Sequence, residues 1–202
     1  KQVNKVVIVD NGSPSECIEM LKRISLKFNV HLVLNKKNLG VATALNKGFD
    51  FVINLDHPFE WCLTMDQDTI LYPKMIYNLI KAYNDCTFKE KIGIVGSNYE
   101  EYTTGRILYD KKNSKKSWAE VQHLPTSGCL TSIPVYKSIG RYRDNLFIDY
   151  IDTEYCMRLL ENGYKVIISP EINMRHPLGY YKSDKITRDN PWRRATPCSQ
   201  TY

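Results

Sequence analysis

Short apolar runs and longer stretches of helical periodicity take turns along the first half of this chain. "KVVIVD" (5 to 10) is an unbroken run of mostly β-branched residues, the pattern of a strand buried on both faces. "SPSE" (13 to 16) reads as a helix start, with Ser13 as N-cap, Pro14 in the first turn and Glu16 closing a capping box. Ile18, Leu21 and Ile24 then follow at helical spacing. "VHLVLN" (30 to 35) predicts the next strand, and Val41, Leu45, Phe49 and Val52 share one face of a helix over 41 to 53. "EWCLTM" (60 to 65) is a third strand, Pro73 opens a helix running to about Asn84, and "IGIVGS" (92 to 97) is a fourth strand.

This order predicts an α/β fold: a mostly parallel sheet flanked by helices on both faces, in a single domain. Such sheets bind ligands beyond the carboxyl ends of their strands, where Asp10, Asp66 and Asp68 fall. After Ser97 the rhythm changes. Residues 98 to 127 are polar and irregular, with one hairpin. A helix begins near Asp152 and stops at Gly163, and "YKVIIS" (164 to 169) is a late strand halted by Pro170.

Length and composition narrow the class. The 202 residues suffice for one well-buried domain, and 43% hydrophobic with 25% charged residues is ordinary for a globular protein. No apolar run approaches the ~18 residues of a membrane span. The first residues show neither an h-region nor a cleavage site, so no signal peptide is expected, and they lack an initiator Met. The net charge of +6 is concentrated in "DKKNSKK" (110 to 116) and "YKSDKITRDNPWRR" (181 to 194). These are either solvated loops or surfaces for a diphosphate or an anionic membrane. Nucleic acid is not expected, because aromatic and basic residues do not interleave. Six cysteines (17, 62, 86, 129, 156, 198) are scattered without close pairs. Cys62 and Cys156 sit in apolar patterns as reduced core residues, which favours the cytosol.

The chemistry-bearing stretches come next. "CLTMDQDT" (62 to 69) delivers Asp66 and Asp68 to the end of an apolar strand, where they form either a solvated turn or a seat for a hard cation or a ribose diol. Asp10 in "VDNGS" (9 to 13) either satisfies its own turn or accepts the imide N–H of a pyrimidine. In "NKKNLGVATALNKGF" (35 to 49), Asn38 and Gly40 precede a helix. Gly48 lies inside it at a cost of ~1 kcal/mol against alanine, which predicts close packing. Neither G-x-G-x-x-G nor a P-loop is present. "FIDYIDTEYCMRL" (147 to 159) gathers Asp149, Asp152 and Glu154; Asp152 is either an N-cap or a general base. His176 in "MRHPLG" (174 to 179) is expected in a loop after the strand, as a metal ligand or a solvated side chain.

Taken together, "VVIVDNGS", "NLGVATALNKGF", "TMDQDT", "TSGCLTS", "FIDYIDTEYCMRL", "GYKVI" and "HPLG" resemble, in order and spacing over residues 6 to 179, the inverting glycosyltransferases of family 2. Within that family the chain is most similar to bacterial rhamnosyltransferases of surface polysaccharide synthesis. The resemblance implies the GT-A fold, and metal-dependent inverting transfer from a nucleotide-sugar donor such as TDP-rhamnose to a saccharide or lipid-linked acceptor. It places Asp10 at the pyrimidine, Asn38 beside the nucleoside and Asp66 at the ribose and metal region. Asp68 and His176 would bind a divalent metal (Mg²⁺ or Mn²⁺), Asp152 would be the base, and Gly128 would shape the acceptor side. Residues 1–97 would then bind the donor, 98–180 the acceptor and the catalytic groups, and 181–202 would be a basic C-terminal segment. The expected location is the cytoplasm, with peripheral contact at the inner face of an anionic membrane. The chain starts beyond the first strand usual in the family. Two other classes compete: a sugar-nucleotide pyrophosphorylase, which would want a Gly- and Arg-rich loop near the start, and a saccharide-binding module without turnover.

Overall fold

The first two apolar runs pair with each other. The computed structural model describes residues 3–113 and 115–177; the basic segment 181–202, including Lys182, Lys185, Arg193 and Arg194, lies outside them. β1 (Val7–Asp10) and β2 (His31–Leu34) are parallel, Asp10 opposite Leu34, and are connected by α1 (Ser15–Phe28). α2 (Val41–Ile53) leads to β3 (Trp61–Thr64), which belongs to a six-stranded sheet. Its other strands are β4 (Ile70–Leu71), β5 (Ile92–Glu101), β6 (Ala119–Val121), β7 (Cys129–Ser132) and β8 (Lys165–His176), in the order β3-β7-β5-β8-β4 with β6 also on β8. α3 (Met75–Asp85), α4 (Ile133–Ile139) and α5 (Ile151–Glu161) complete the fold.

The α/β class is as predicted, but the expected mostly parallel sheet is mixed. β5 and β8 are parallel, whereas β7 runs antiparallel to both β3 and β5, and β4 and β6 run antiparallel to β8. The β-α-β rhythm ends at β5, and the later strands are not bound by its crossover rule. Because β7 opposes both β3 and β5, the strands β3, β5 and β8 point the same way. Their carboxyl ends, at Thr64, Glu101 and His176, therefore share one edge.

Alternation along the central strands feeds two cores. Ile94, Val166 and Ile168 face a cluster with Phe49 of α2, Tyr136 of α4 and Tyr155 and Leu159 of α5. Val95 and Ile167, one residue out of phase, face Met75, Leu79 and Ala82 of α3. Asn46, fully buried on α2, fastens the first half of the chain to the second. Its Nδ2 donates to the Tyr142 carbonyl at 2.8 Å and to Asp144 Oδ1 at 2.9 Å, while its Oδ1 accepts from Tyr136 Oη at 2.8 Å and Tyr142 N at 3.0 Å.

Three local expectations are corrected. No capping box starts α1: Pro14 is the cap residue, and the Ser13 backbone N–H is donated to Asp10 Oδ2 instead. Gly48 is not required by packing, since a Cβ there would meet Val9 Cγ2 at an ordinary 3.6 Å. β8 does not stop at Pro170. Proline lacks an N–H to donate, but the register shifts between Ser97/Ser169 and Asn98/Ile172, so Pro170 sits in an irregularity where no ladder bond is needed. The fully buried Asn98 mends the break, donating to the Pro170 carbonyl at 2.9 Å and to the Tyr109 carbonyl at 2.8 Å.

At the end of β5, Glu101 accepts from the backbone N–H groups of Thr103 and Thr104 and from the Thr104 hydroxyl. These bonds, the Thr104 hydroxyl foremost, hold its carboxyl down at about 2, against an ordinary 4.5. A depressed carboxyl contributes stability that is complete above its ordinary value and lost as pH falls through the folded one. Wild type should therefore exceed Glu101→Gln in urea midpoint at pH 6, with the difference shrinking steadily from pH 4 toward pH 2. An unchanged difference at pH 2.5 would contradict the assignment.

Candidate active site

Strand ends and two turns deliver the polar groups to the shared edge. Beyond β3 the chain turns at Asp66 and Asp68, both exposed, while the carboxyl end of β8 brings up His176. One ligand atom from each of these three residues lies within 4.8 Å of the others. His176 is the last residue of β8 and is buried, not in a loop as expected. Its ring meets Tyr99 edge-on at 5.4 Å, and its Nδ1 lies 2.8 Å from Thr69 Oγ1. That contact turns Nε2 toward Asp66, whose Oδ2 is 3.9 Å away.

A hydroxyl chain supports this arrangement. Thr69 Oγ1 also contacts the buried Ser127 Oγ at 3.0 Å, and Ser127 Oγ accepts from the Asp66 backbone N–H at 3.1 Å. Gly128 makes the close approach possible. It adopts φ 79°, donates to the Thr64 carbonyl at 2.8 Å and accepts from Ser97 N at 3.0 Å. A Cβ at Gly128 would stand 2.6 Å from Met174 Sδ, so only glycine fits.

Charge crowds at this edge. The Asp66 carboxyl is pushed up, first by partial desolvation; His176 opposes the shift, and the carboxylates of Asp68 and Asp152 add to it. Its side chain is nevertheless 46% accessible, which leaves the carboxylate open to a ligand. Oxygen and imidazole donors in such a cluster suit a divalent cation.

Asp152 lies in the first turn of α5 but is not its N-cap. That position belongs to Tyr150, at φ 64°, because the chain enters the helix from a left-handed residue. Asp152 Oδ1 accepts from Thr153 N at 2.7 Å, and Oδ2 faces His123 Nε2 at 3.5 Å. Burial raises the Asp152 carboxyl, but His123 and the Thr153 backbone N–H outweigh it, so the net shift is downward. Glu154 is committed elsewhere. Arg158 grips it at 2.8 Å through both Nε and Nη2, and Arg143 Nε reaches it at 2.8 Å. Arg158 also donates to the carbonyls of Ile139, Gly140 and Arg141 at the end of α4 and just past it. Asp149 is exposed ahead of the helix.

Asp10 and Asn38 form a second group. Asp10 is buried, and its Oδ2 accepts from the N–H groups of Gly12 and Ser13 at 3.1 Å, so the turn reading holds at least for this oxygen. Asn38 Oδ1 accepts from Asn11 Nδ2 and Gly40 N, both at 2.9 Å. Asn11 is the hub, also accepting from Asn35 Nδ2 and Leu39 N at 3.0 Å. Val41 N donates to the Phe147 carbonyl at 2.7 Å, which ties this loop to the segment before α5. The structure thus gathers Asp66, Asp68 and His176, sets Asp152 within electrostatic reach of Asp66, and joins Asp10 and Asn38 through Asn11. Sequence reasoning missed His123 and Asn11. His123 is a lone histidine in the irregular stretch, with no spacing to flag it; Thr69 and Ser127 lay inside motifs but carried no signal of their own.

Comparison with known proteins follows the same lines. The sequence model described as Glycosyl transferase family 2 matches residues 1–140. The chain is 31% identical over 183 residues to the dTDP-rhamnosyl transferase RfbF of Shigella flexneri, covering 86% of this chain and 60% of that protein. It is 27% identical over 107 residues to the bifunctional glycosyltransferase pgtA of Dictyostelium discoideum, covering 52% of this chain and 13% of that protein. The chain thus spans about three fifths of RfbF and a small part of pgtA. Among solved structures, GalNAc-T7 with UDP, GalNAc and Mn²⁺ superposes with a TM-score of 0.68 at 14% identity, over 86% of this chain and 38% of that one. Staphylococcus aureus TarS 1-349 in complex with UDP gives 0.63 at 15% identity, over 87% and 51%. At these identities the structures speak to the fold, which is the expected GT-A type.

The Thr69 contact generates a prediction. Thr69→Val keeps the shape but removes the partner of His176 Nδ1, freeing the ring to turn. Losing such an orienting partner usually weakens metal affinity about 10- to 100-fold. Titration calorimetry with Mn²⁺ should show that loss without a change in melting temperature. Equal Mn²⁺ affinity would remove Thr69 from the site.

Proposed function

This chain belongs to glycosyl transferase family 2, and from that premise we propose that it transfers a sugar, with inversion, from a nucleoside diphosphate donor to an acceptor hydroxyl. The observation that carries the proposal is the cluster of Asp66, Asp68 and His176 with the Asp152 carboxylate within electrostatic reach of Asp66. Similarity to the dTDP-rhamnosyl transferase RfbF favours TDP-rhamnose as donor, and the acceptor proposed with it is a saccharide or lipid-linked hydroxyl of surface polysaccharide synthesis. Residues 1–97 would bind the donor and 98–180 would supply the acceptor side, including Gly128. Work at the cytoplasmic face of a membrane, with the basic segment 181–202 as peripheral contact, fits the same reading. No helix among the described residues is long and apolar enough to cross a membrane.

In this proposal Asp10 and Asn38 hold the nucleoside. The turn bonds hold the Asp10 carboxylate in place at the end of β1. Asp66, Asp68 and His176 would hold Mg²⁺ or Mn²⁺. The donor set fits such an ion: two carboxylates, and an imidazole whose Nε2 stays available because Nδ1 is engaged by Thr69. When bound, the ion supplies positive charge against the diphosphate. The chain's own task is proton removal. Asp152 accepts the acceptor hydroxyl's proton while that oxygen attacks the anomeric carbon from the side opposite the departing diphosphate. Its place in the first turn of α5 and its contact with His123 keep it ionised, as a base must be. Glu154, paired with Arg158 and Arg143, is held in a structural role and does not compete.

Two substitutions test the reading. Asp68→Ala should abolish the Mn²⁺-dependent thermal shift given by UDP or TDP while leaving the unliganded melting temperature unchanged. Asp152→Asn should bind nucleotide normally and lose turnover by ~10²-fold or more, the usual scale for a positioned base. Transfer by Asp152→Asn within a few-fold of wild type would overturn the base. Nucleotide binding with no transfer and no donor hydrolysis by the wild-type full-length protein would mark a binding module instead.

A further inference from the structure

His123 stands where the base reading leaves a question open. An aspartate carboxylate is a poor resting place for a proton near neutral pH, and an imidazole stands beside this one. Its two oxygens are not equivalent. Oδ1 takes the Thr153 backbone N–H at 2.7 Å and the Thr153 hydroxyl at 3.4 Å, and Oδ2 faces His123 Nε2 at 3.5 Å. Among the described residues, Asp152 is the ion-pair partner given to His123. The imidazole is half-exposed while the carboxylate is 31% accessible, so His123 lies on the solvent side of the pair.

The histidine is held there by its neighbour. Leu124, next in sequence, is buried, and its side chain fills the space above Gly96 of β5, where a Cβ would come within 2.3 Å of Leu124 Cδ1. The Leu124 carbonyl accepts from Cys156 Sγ on α5 at 3.9 Å. The backbone beside His123 is therefore anchored both to the central strand and to the helix that carries Asp152.

We propose that Asp152 and His123 act as a two-group base, in which the acceptor hydroxyl's proton leaves through Asp152 and comes to rest on the His123 imidazole. This rests on the reading of Asp152 as the base. In the balanced step the acceptor O–H bond breaks as its oxygen bonds the anomeric carbon, and the bond from that carbon to the diphosphate breaks with its electron pair going to the diphosphate. The proton passes to Asp152 Oδ2 and on to His123 Nε2, the ring nitrogen that faces it, which is vacant when the neutral imidazole carries its proton on Nδ1 and which later releases the proton to solvent. Ordinary imidazoles hold a proton ~2 to 3 pH units more readily than ordinary aspartates, so the transfer runs downhill. The other titratable groups around the pair do not take this role. Asp66, within electrostatic reach of Asp152, belongs to the candidate metal cluster. The thiols of Cys129 and Cys156 are pushed up by burial, Cys156 to about 11, and stay protonated. Glu154 is neutralised by Arg158 and Arg143.

The test is the pH dependence of sugar transfer by the full-length protein, with TDP-rhamnose as the first donor and other nucleotide-sugars in its place if that one is not used. Wild-type kcat should fall on the acid side across the range where histidines titrate. His123→Gln, which keeps a hydrogen-bond donor but cannot take up a proton, should lose kcat by about 10- to 100-fold. Its acid limb should move down to the carboxylate range, with donor KM and melting temperature unchanged. Recovery by His123→Gln of activity that His123→Ala lacks would show that His123 only positions Asp152, and would overturn the relay. So would a wild-type rate and acid limb in His123→Gln. If Asp152→Asn proves fully active, the base reading itself fails; if Asp152→Asn is inactive and His123→Gln is not, the relay alone fails.

Discussion

The arrangement depends on one buried amide. Asn46 makes four hydrogen bonds with no access to water, two from its nitrogen and two to its oxygen, and every partner lies near residue 140. A buried amide group left unpaired is costly, so this set is satisfied together or not at all. Through it, α2 fixes the stretch at Tyr142 and Asp144 that leads into α5. The stacked rings of Phe49 and Tyr136 at 4.2 Å, and the tilted pair of Tyr142 and Tyr155 at 4.3 Å, then fill the apolar space around it. The position of Asp152 is thus set by a residue more than 100 positions earlier in the chain.

The same device recurs wherever regular pairing fails. Asn98 repairs the irregularity at Pro170, and Asn11 knits the turn after β1 to the loop before α2. Each supplies donors and acceptors that the backbone lacks at a break. The consequence for function is rigidity at the shared edge. His176 ends the strand that Asn98 repairs and Asp10 ends the strand that Asn11 buttresses, so both meet a ligand with little reorganisation.

The edge is electrostatically unfavourable in isolation. The Asp66 carboxyl is raised first by desolvation and further by the like charges of Asp68 and Asp152, with His176 opposing. The proposed divalent cation at Asp66, Asp68 and His176 would relieve this crowding. His176 and His123 each stand beside one of these carboxylates.

The sequence by itself determined what depends on neighbours a few residues apart. The bounds of α2 coincide with the periodic stretch 41 to 53, and the apolar runs place β1, β2, β3 and the start of β5 within two residues. Asp66 and Asp68 were legible because a strand must end before two charges, and the series of motifs was legible as a family. Only the tertiary structure decided the antiparallel placement of β7, the continuation of β8 through Pro170 to bring His176 into the site, and the cap at Tyr150. It alone showed His123 against Asp152 and the four bonds of Asn46. These are pairings across tens of residues, between groups that look ordinary in their own segments. A lone histidine or asparagine carries no local pattern, and its partner is chosen by how the sheet and helices close around it.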